Sequence, residues 1–195
     1  KDGPFITRQV EYLLANVRPD GSISASLQAT AYNTAAAVTA LAATKNPKYD
    51  EVIAGARKFL IHHQVDGDEG YKEDHPYFGG IGYGGGERPD LSNVYMSLEG
   101  LKAASTDPKD PVWQKAMIFV SRSQNRSESN DQPWAGNDGG FAYRPGSNPP
   151  EYENGTASYG GMTAAGLLSL LFAGADKNDP RVQAAYKWMT TNFTL

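Results

Sequence analysis

Hydrophobic positions along this chain form two kinds of block that follow each other in turn. The blocks "TAAAVTALAA" at 34–43 and "MTAAGLLSLLFAG" at 162–174 are apolar almost all round, which is typical of a helix buried between neighbours. Between them, Trp113, Ala116 and Val120 follow the three- and four-residue spacing of a helix with a single buried face. The pattern predicts apolar inner helices alternating with amphipathic outer helices.

The paired blocks also repeat along the chain. Leu41 and Gln64 recur as Leu101 and Gln124, each 60 residues later, and Leu171 follows Leu101 by 70 residues. Repeats of this length are typical of helical hairpins that stack on one another and share one core. We therefore predict an all-α repeat domain. Its units are expected at roughly 1–27, 28–88, 89–157 and 158–195.

Helix boundaries follow from the dipeptides between the blocks. The apolar helices are predicted near 30–44, 91–105 and 160–174. Each amphipathic helix is predicted to begin at an Asx-Pro pair, because Asx caps free N–H groups and Pro fits the first turn. These pairs are Asn46-Pro47, Asp110-Pro111 and Asp179-Pro180. The count is about seven helices, with no strand and with long glycine-rich loops whose aromatic residues, such as Tyr143, are expected to pack against helix ends.

Composition narrows the function classes. The chain has 195 residues, 39% hydrophobic content and a net charge of -4, which fit a folded domain. Its 18 Lys and Arg residues are scattered, so nucleic acid is not an expected partner. No apolar run approaches the roughly 20 residues of a membrane span. The absence of cysteine excludes disulfides, thiol nucleophiles and thiolate-bound metals, and leaves the compartment open.

Two glycine-rich stretches, each followed by an apolar helix, carry a family resemblance. "GGIGYGGGERPDLSNVYMSLEGL" at 79–101, and "GGFAYRPG" at 139–146 with "YGGMTAAGLLSLLFAG" at 159–174, are similar to the repeats of the terpenoid cyclase and protein prenyltransferase superfamily. The resemblance covers nearly the whole chain. It implies helical hairpins in an inner and an outer layer, forming part of an α/α toroid around a central cavity.

The catalytic motifs that this resemblance implies are incomplete. Cyclases of the squalene-hopene type carry Asp-x-Asp-Asp at an inner-helix start, whereas the nearest string here, 66–69, follows an outer helix and contains Gly67. Prenyltransferases bind zinc through an Asp, a Cys two residues later and a distant His. Here Asp90 is followed by Ser92, and no His follows His75. Serine does not replace a zinc-bound thiolate, so we expect neither this chemistry nor a cofactor.

Several polar and aromatic side chains fall where the cavity of such a fold would open. Asp90 is the candidate acid, although an Asp at a helix start is most often an N-cap. The candidates for lining the cavity are Tyr32, Tyr83, Asp90, Tyr95, Glu99 and Tyr159. Tyrosine rings attract cations and also pack as ordinary inner side chains, so both interpretations stay open. Glu99 stands out as an acid on an otherwise apolar helix and is expected either to pair with a neighbour or to face the cavity.

All histidines lie in "HHQVDGDEGYKEDH" at 62–75. His63, Asp66, Asp68 and His75 are candidates for a metal site. The stretch lacks the spacing of an EF-hand, and adjacent histidines on a helix point about 100° apart. A polar turn after an outer helix is the favoured interpretation, and no metal is expected.

Three functions remain open on this basis. The first is a repeat domain without an intact catalytic motif that binds an isoprenoid-like ligand, another apolar ligand or a protein in its concave cavity. The second is a fragment of a terpenoid cyclase whose acid lies elsewhere, and the third is a purely structural module. A toroid of the resembling family has about twelve helices, so we expect either a piece of a longer chain or self-association.

Overall fold

A computed structural model describes residues 3–84, 88–147 and 155–192. Within these ranges the chain forms seven α-helices and no β-strand, which confirms the all-α prediction. The helices are α1 (Pro4–Ala15), α2 (Thr30–Ala43), α3 (Asp50–His62), α4 (Leu91–Ala103), α5 (Pro111–Ser123), α6 (Gly160–Phe172) and α7 (Pro180–Asn192). None of the helices in the described ranges combines the length and hydrophobicity needed to cross a membrane.

The helices form two layers. In the inner layer α4 packs between α2 and α6. The outer helix α3 contacts both α2 and α4, α5 contacts both α4 and α6, and α7 packs on α6. Gly100 shows why the inner helices are rich in small residues, because a Cβ there would lie 3.0 Å from the carbonyl oxygen of Ala35 on α2. Small side chains let these backbones approach closely.

The core lies between the layers. From α4 it takes Leu91, Val94, Leu98 and Leu101, which follow the helical spacing predicted for a buried face. They pack with aromatic residues of the outer helices and of one loop, namely Phe59, Trp113, Phe119 and Phe141. One face of each inner helix is therefore committed to the core.

The Asx-Pro pairs mark helix starts as predicted. At Asn46, Asp110 and Asp179 the side-chain Oδ1 accepts a hydrogen bond from the backbone N–H two residues later, at 3.1, 2.9 and 2.9 Å. After Asn46 the chain first makes a 3-10 turn, Pro47–Tyr49, and then enters α3. After the other two pairs the α-helix begins at the proline itself.

A buried glutamine joins each outer helix to the next. Gln64, just after α3, donates from Nε2 to the carbonyl oxygens of Gly79 at 3.1 Å and Val112 at 3.0 Å. Gly79 lies in the following loop, and Val112 lies in the first turn of α5. We call this set a glutamine junction. It binds the end of one outer helix, a loop and the start of the next outer helix at a single point.

The second glutamine junction has the same geometry one unit later. Gln124, after α5, donates from Nε2 to the carbonyl oxygens of Gly139 and Arg181, both at 2.9 Å. Arg181 lies in the first turn of α7. The glutamines are 2% and 0% exposed. Buried amide groups need such partners, so the 60-residue match of Gln64 and Gln124 in the sequence reflects a shared structural role.

The loop glycine of each junction lies against the next outer helix. Gly79 has φ +80°, and a Cβ there would come within 1.8 Å of the carbonyl oxygen of Lys115. Gly139 has φ +88°, and its Cβ would come within 2.8 Å of the carbonyl oxygen of Ala184. Both the left-handed backbone and the close approach require glycine.

Candidate functional site

Four tyrosines and one glutamate from helices and loops gather at the inner layer. Tyr32 and Tyr83 stack, with ring centroids 6.3 Å apart and an interplanar angle of 28°. The hydroxyl of Tyr83 lies 3.3 Å from that of Tyr143. Tyr95 has its hydroxyl within hydrogen-bonding reach of Glu99 and also interacts with Tyr32. We call these five residues the tyrosine face; each is partly buried.

Helical geometry places Tyr95 and Glu99 on one side of α4. They are four residues apart and therefore neighbours on the helix surface. The core residues Leu91 and Leu98 occupy another side of the same helix. Tyr95 also stacks on Phe172 of α6, with ring centroids 6.2 Å apart. The tyrosine face therefore extends from α2 across α4 to the end of α6.

The two loop tyrosines are held by their backbones. The carbonyl oxygen of Tyr83 accepts a hydrogen bond of 2.9 Å from the N–H of Ala31, at the start of α2. The carbonyl oxygen of Tyr143 accepts a hydrogen bond of 2.8 Å from the N–H of Leu91, at the start of α4. Each loop thus satisfies a free N–H of an inner helix, as expected for residues packed against helix ends.

The environment keeps two of these phenols neutral. Burial raises the pKa of Tyr95 above its ordinary value, and the carboxylate of Glu99 raises it further. Burial also raises the pKa of Tyr143 strongly, with additional contributions from the hydrogen bond with Tyr83 and from the charge of Asp90. Both hydroxyls are therefore protonated at neutral pH, where they can donate hydrogen bonds but cannot act as bases.

Asp90 is the N-cap of α4. Its Oδ1 accepts hydrogen bonds from the N–H of Asn93 at 3.0 Å and from the hydroxyl of Ser92 at 2.6 Å. Its Oδ2 accepts a hydrogen bond of 2.7 Å from Nδ2 of Asn93. The residue is 1% exposed, so both carboxylate oxygens are occupied by neighbours in the chain. This arrangement stabilises the helix start and the ionised form of the acid.

Tyr159 has the corresponding place in the next unit. It is the residue before α6, with extended backbone, and its N–H donates to the carbonyl oxygen of Phe141 at 3.3 Å. Phe141 is fully buried in the core. The structure thus places Tyr159 at an inner-helix start, as the sequence indicated.

The metal candidates near the histidines have separate partners. Nδ1 of His63 lies 3.0 Å from the carbonyl oxygen of Phe59, and Nδ1 of His75 accepts a hydrogen bond of 3.1 Å from the N–H of Tyr77. Asp66 accepts from the N–H of Asp68 at 2.9 Å and forms an ion pair with Lys115. Over the described ranges, no three His, Asp or Glu side chains form a group suited to hold a metal ion.

Tyr143 is a member of the tyrosine face that the sequence interpretation did not include among the cavity candidates. The signal was present, because Tyr143 follows Tyr83 by 60 residues, the same interval that relates Gln124 to Gln64. Repeat register, applied to the loops as well as to the helices, would have identified it.

No protein-family model, no curated protein and no solved structure matches this chain. The resemblance to terpenoid cyclases and prenyltransferases therefore remains an interpretation of the sequence, and an argument about function must begin from the residues of the site.

Proposed function

We propose that this domain binds a ligand with an apolar, isoprenoid-like body on its tyrosine face, without catalysis by Asp90. The observation that carries the proposal is the gathering of four partly exposed tyrosines and Glu99 on helices that are otherwise small and apolar. Aromatic surfaces with a few polar groups among apolar residues are typical of small-molecule sites. The resemblance to proteins with a central cavity supports the same choice.

Apolar surface continues from the tyrosine face along α6. Leu168 is 40% exposed and Leu171 is 41% exposed. Phe172, which stacks on Tyr95, lies in the same helix. Adjacent exposed leucines next to an aromatic cluster form the kind of apolar patch that marks binding surfaces. A hydrocarbon body can therefore extend from the tyrosines over α6.

The geometry of Asp90 favours binding over chemistry. An acid that protonates an alkene must present its proton to the ligand. Asp90 instead accepts hydrogen bonds with both oxygens and is almost fully buried. We therefore assign it to the helix start, and the tyrosine hydroxyls to positioning of polar groups on the ligand.

The proposal is tested by titrating the purified protein with farnesol, a fifteen-carbon isoprenoid alcohol, and following binding by calorimetry. Leu168→Ser is expected to weaken binding about fivefold, because a serine removes most of the apolar contact area of the leucine. Tyr186→Ser is the matched control, since Tyr186 is 59% exposed on the outer helix α7. Absence of farnesol binding, or an equal effect of both variants, would contradict the proposal.

A further inference from the structure

The inner layer carries almost no charge. The sequences of α2 and α6 contain no Asp, Glu, Lys or Arg, and α4 contains only Glu99 and Lys102. Lys102 is directed toward the outer layer, where its Nζ lies 6.0 Å from the ring centroid of Trp113 on α5. Glu99 is therefore the charged side chain that the inner helices contribute to the tyrosine face.

Glu99 is partly buried and has no cationic partner among the described residues. The ion pairs in those ranges involve Asp66, Glu128, Asp131 and Asp179. Glu99 instead lies within reach of the hydroxyl of Tyr95, a neutral donor. A carboxylate held among aromatic rings loses hydration and favours a cation that can replace it.

The rings around Glu99 are suited to the same type of ligand. The face of a tyrosine ring attracts a cation, and several rings around one carboxylate add to its attraction. The molecule already shows this contact at the far end of the face, where the guanidinium of Arg144 lies 5.1 Å from the ring centroid of Tyr143. Tyr32 and Tyr95, which interact with each other, flank the end nearer Glu99.

Repeat register gives the direction of the rest of the ligand. Tyr159 is the residue before α6 as Asp90 is before α4, so Leu168 on α6 corresponds to Glu99 on α4. A polar position on one helix thus has an exposed apolar position beside it on the next. We propose that the tyrosine face binds a cationic amphiphile, with a quaternary ammonium group at Glu99 and its hydrocarbon body over Leu168.

This inference rests on the proposed function and names the class of its ligand. The test compares decyltrimethylammonium, decyl sulfate and neutral decyl glucoside below their micelle-forming concentrations, by calorimetry at low salt. The three share a hydrocarbon chain and differ in the charge of the head group. We expect decyltrimethylammonium to bind about tenfold more tightly than the neutral compound, and decyl sulfate to bind least tightly.

Two variants connect that preference to the site. Glu99→Gln keeps the shape of the side chain and is expected to remove the preference for the cation while leaving decyl glucoside binding unchanged. Glu51→Gln removes a negative charge from the exposed surface of α3 and is expected to change neither affinity. Thermal unfolding of both variants verifies that they fold.

The outcomes separate the two proposals. Equal binding of all three compounds, or an equal loss of cation preference in Glu51→Gln, would overturn the assignment of Glu99 and leave the apolar site intact. Failure of all three compounds to bind would overturn the apolar site as well. Loss of the cation preference in Glu99→Gln alone would support the cationic ligand.

Discussion

The glutamine junctions and the tyrosine face follow opposite rules. At the junctions, Gln64 and Gln124 make the same pair of hydrogen bonds to a loop glycine and to the first turn of the next outer helix. On the tyrosine face, corresponding positions differ: Glu99 corresponds to Leu168 one unit later. One region repeats its chemistry and the other varies it.

The difference separates residues that build the fold from residues that select a ligand. A junction must satisfy buried backbone groups wherever two units meet, so the same solution recurs. A binding face has no such requirement, and each unit can contribute a different side chain. The comparison predicts that junction substitutions reduce stability, whereas face substitutions change ligand binding with little effect on stability.

The largest effect is expected from Gly79→Ala. The variant places a Cβ within 1.8 Å of the carbonyl oxygen of Lys115 and imposes a positive φ on alanine. Because the atoms that it meets belong to the backbone of α5 and cannot step aside, we expect a loss of about 3–5 kcal/mol in the free energy of unfolding. Urea denaturation followed by circular dichroism measures it.

Gly70→Ala is the matched control for that variant. Gly70 has φ +83°, and a Cβ at this position would meet no heavy atom within 4 Å. Only the backbone cost remains, about 1 kcal/mol. If Gly79→Ala does not fold, Gly139→Ala offers a milder clash at 2.8 Å. Equal losses at Gly70 and Gly139 would show that the loop glycines do not brace the outer helices.

The next effect is expected from replacing a junction glutamine by leucine. Gln124→Leu leaves the carbonyl oxygens of Gly139 and Arg181 without their donor, which should cost about 2–4 kcal/mol in the free energy of unfolding. Gln64→Leu should cost a similar amount, because its junction has the same geometry. Chemical denaturation compares both with Gln114→Leu, an exposed position on α5. A large difference between the two junctions would break their equivalence.

The smallest effect concerns an ion pair that only one of the two units possesses. Arg122 makes two hydrogen bonds to Asp131 and holds the pKa of that carboxyl at about 2, below its usual 3.8. The stabilisation is therefore present above about pH 4 and is lost as the pH falls toward 2. Asp131→Asn should cost about 0.5–1 kcal/mol at pH 7, discounted because Asp131 is exposed.

Urea unfolding at several pH values between 7 and 2.5 tests this prediction. The difference between the native protein and Asp131→Asn should narrow as the pH falls. Glu128→Gln, which breaks the more exposed pair with Arg126, serves as the control and should change stability less. A difference that is independent of pH would remove the ion pair as its cause.

The sequence was most informative where structure depends on neighbours in the chain. Asn46, Asp110 and Asp179 act locally, two residues from the N–H groups that they accept from, and their Pro partners fix the helix starts. The role of Gln64 was not predictable in the same way. Its repeat interval was visible, but its partner Val112 lies 48 residues away, so only the packed layers bring them together.

The site shows the same limit. The positions of Tyr32, Tyr95 and Glu99 on inner helices followed from the helical pattern, and Asp90 was recognisable as an N-cap. Tyr143 was missed because it lies on a glycine-rich loop, where no helical or strand spacing applies. Its contact with Tyr83 depends on two loops meeting at neighbouring helix starts, which is a property of the tertiary fold.

Each junction glutamine recognises main-chain carbonyl oxygens and makes no demand on the side chains of the unit that it joins. Gene duplication can therefore add or exchange such a unit without redesigning the joint. The lining residues of each copy are then free to diverge, so a new ligand preference can arise by changes at one or two inner-helix positions while the scaffold that carries them stays the same.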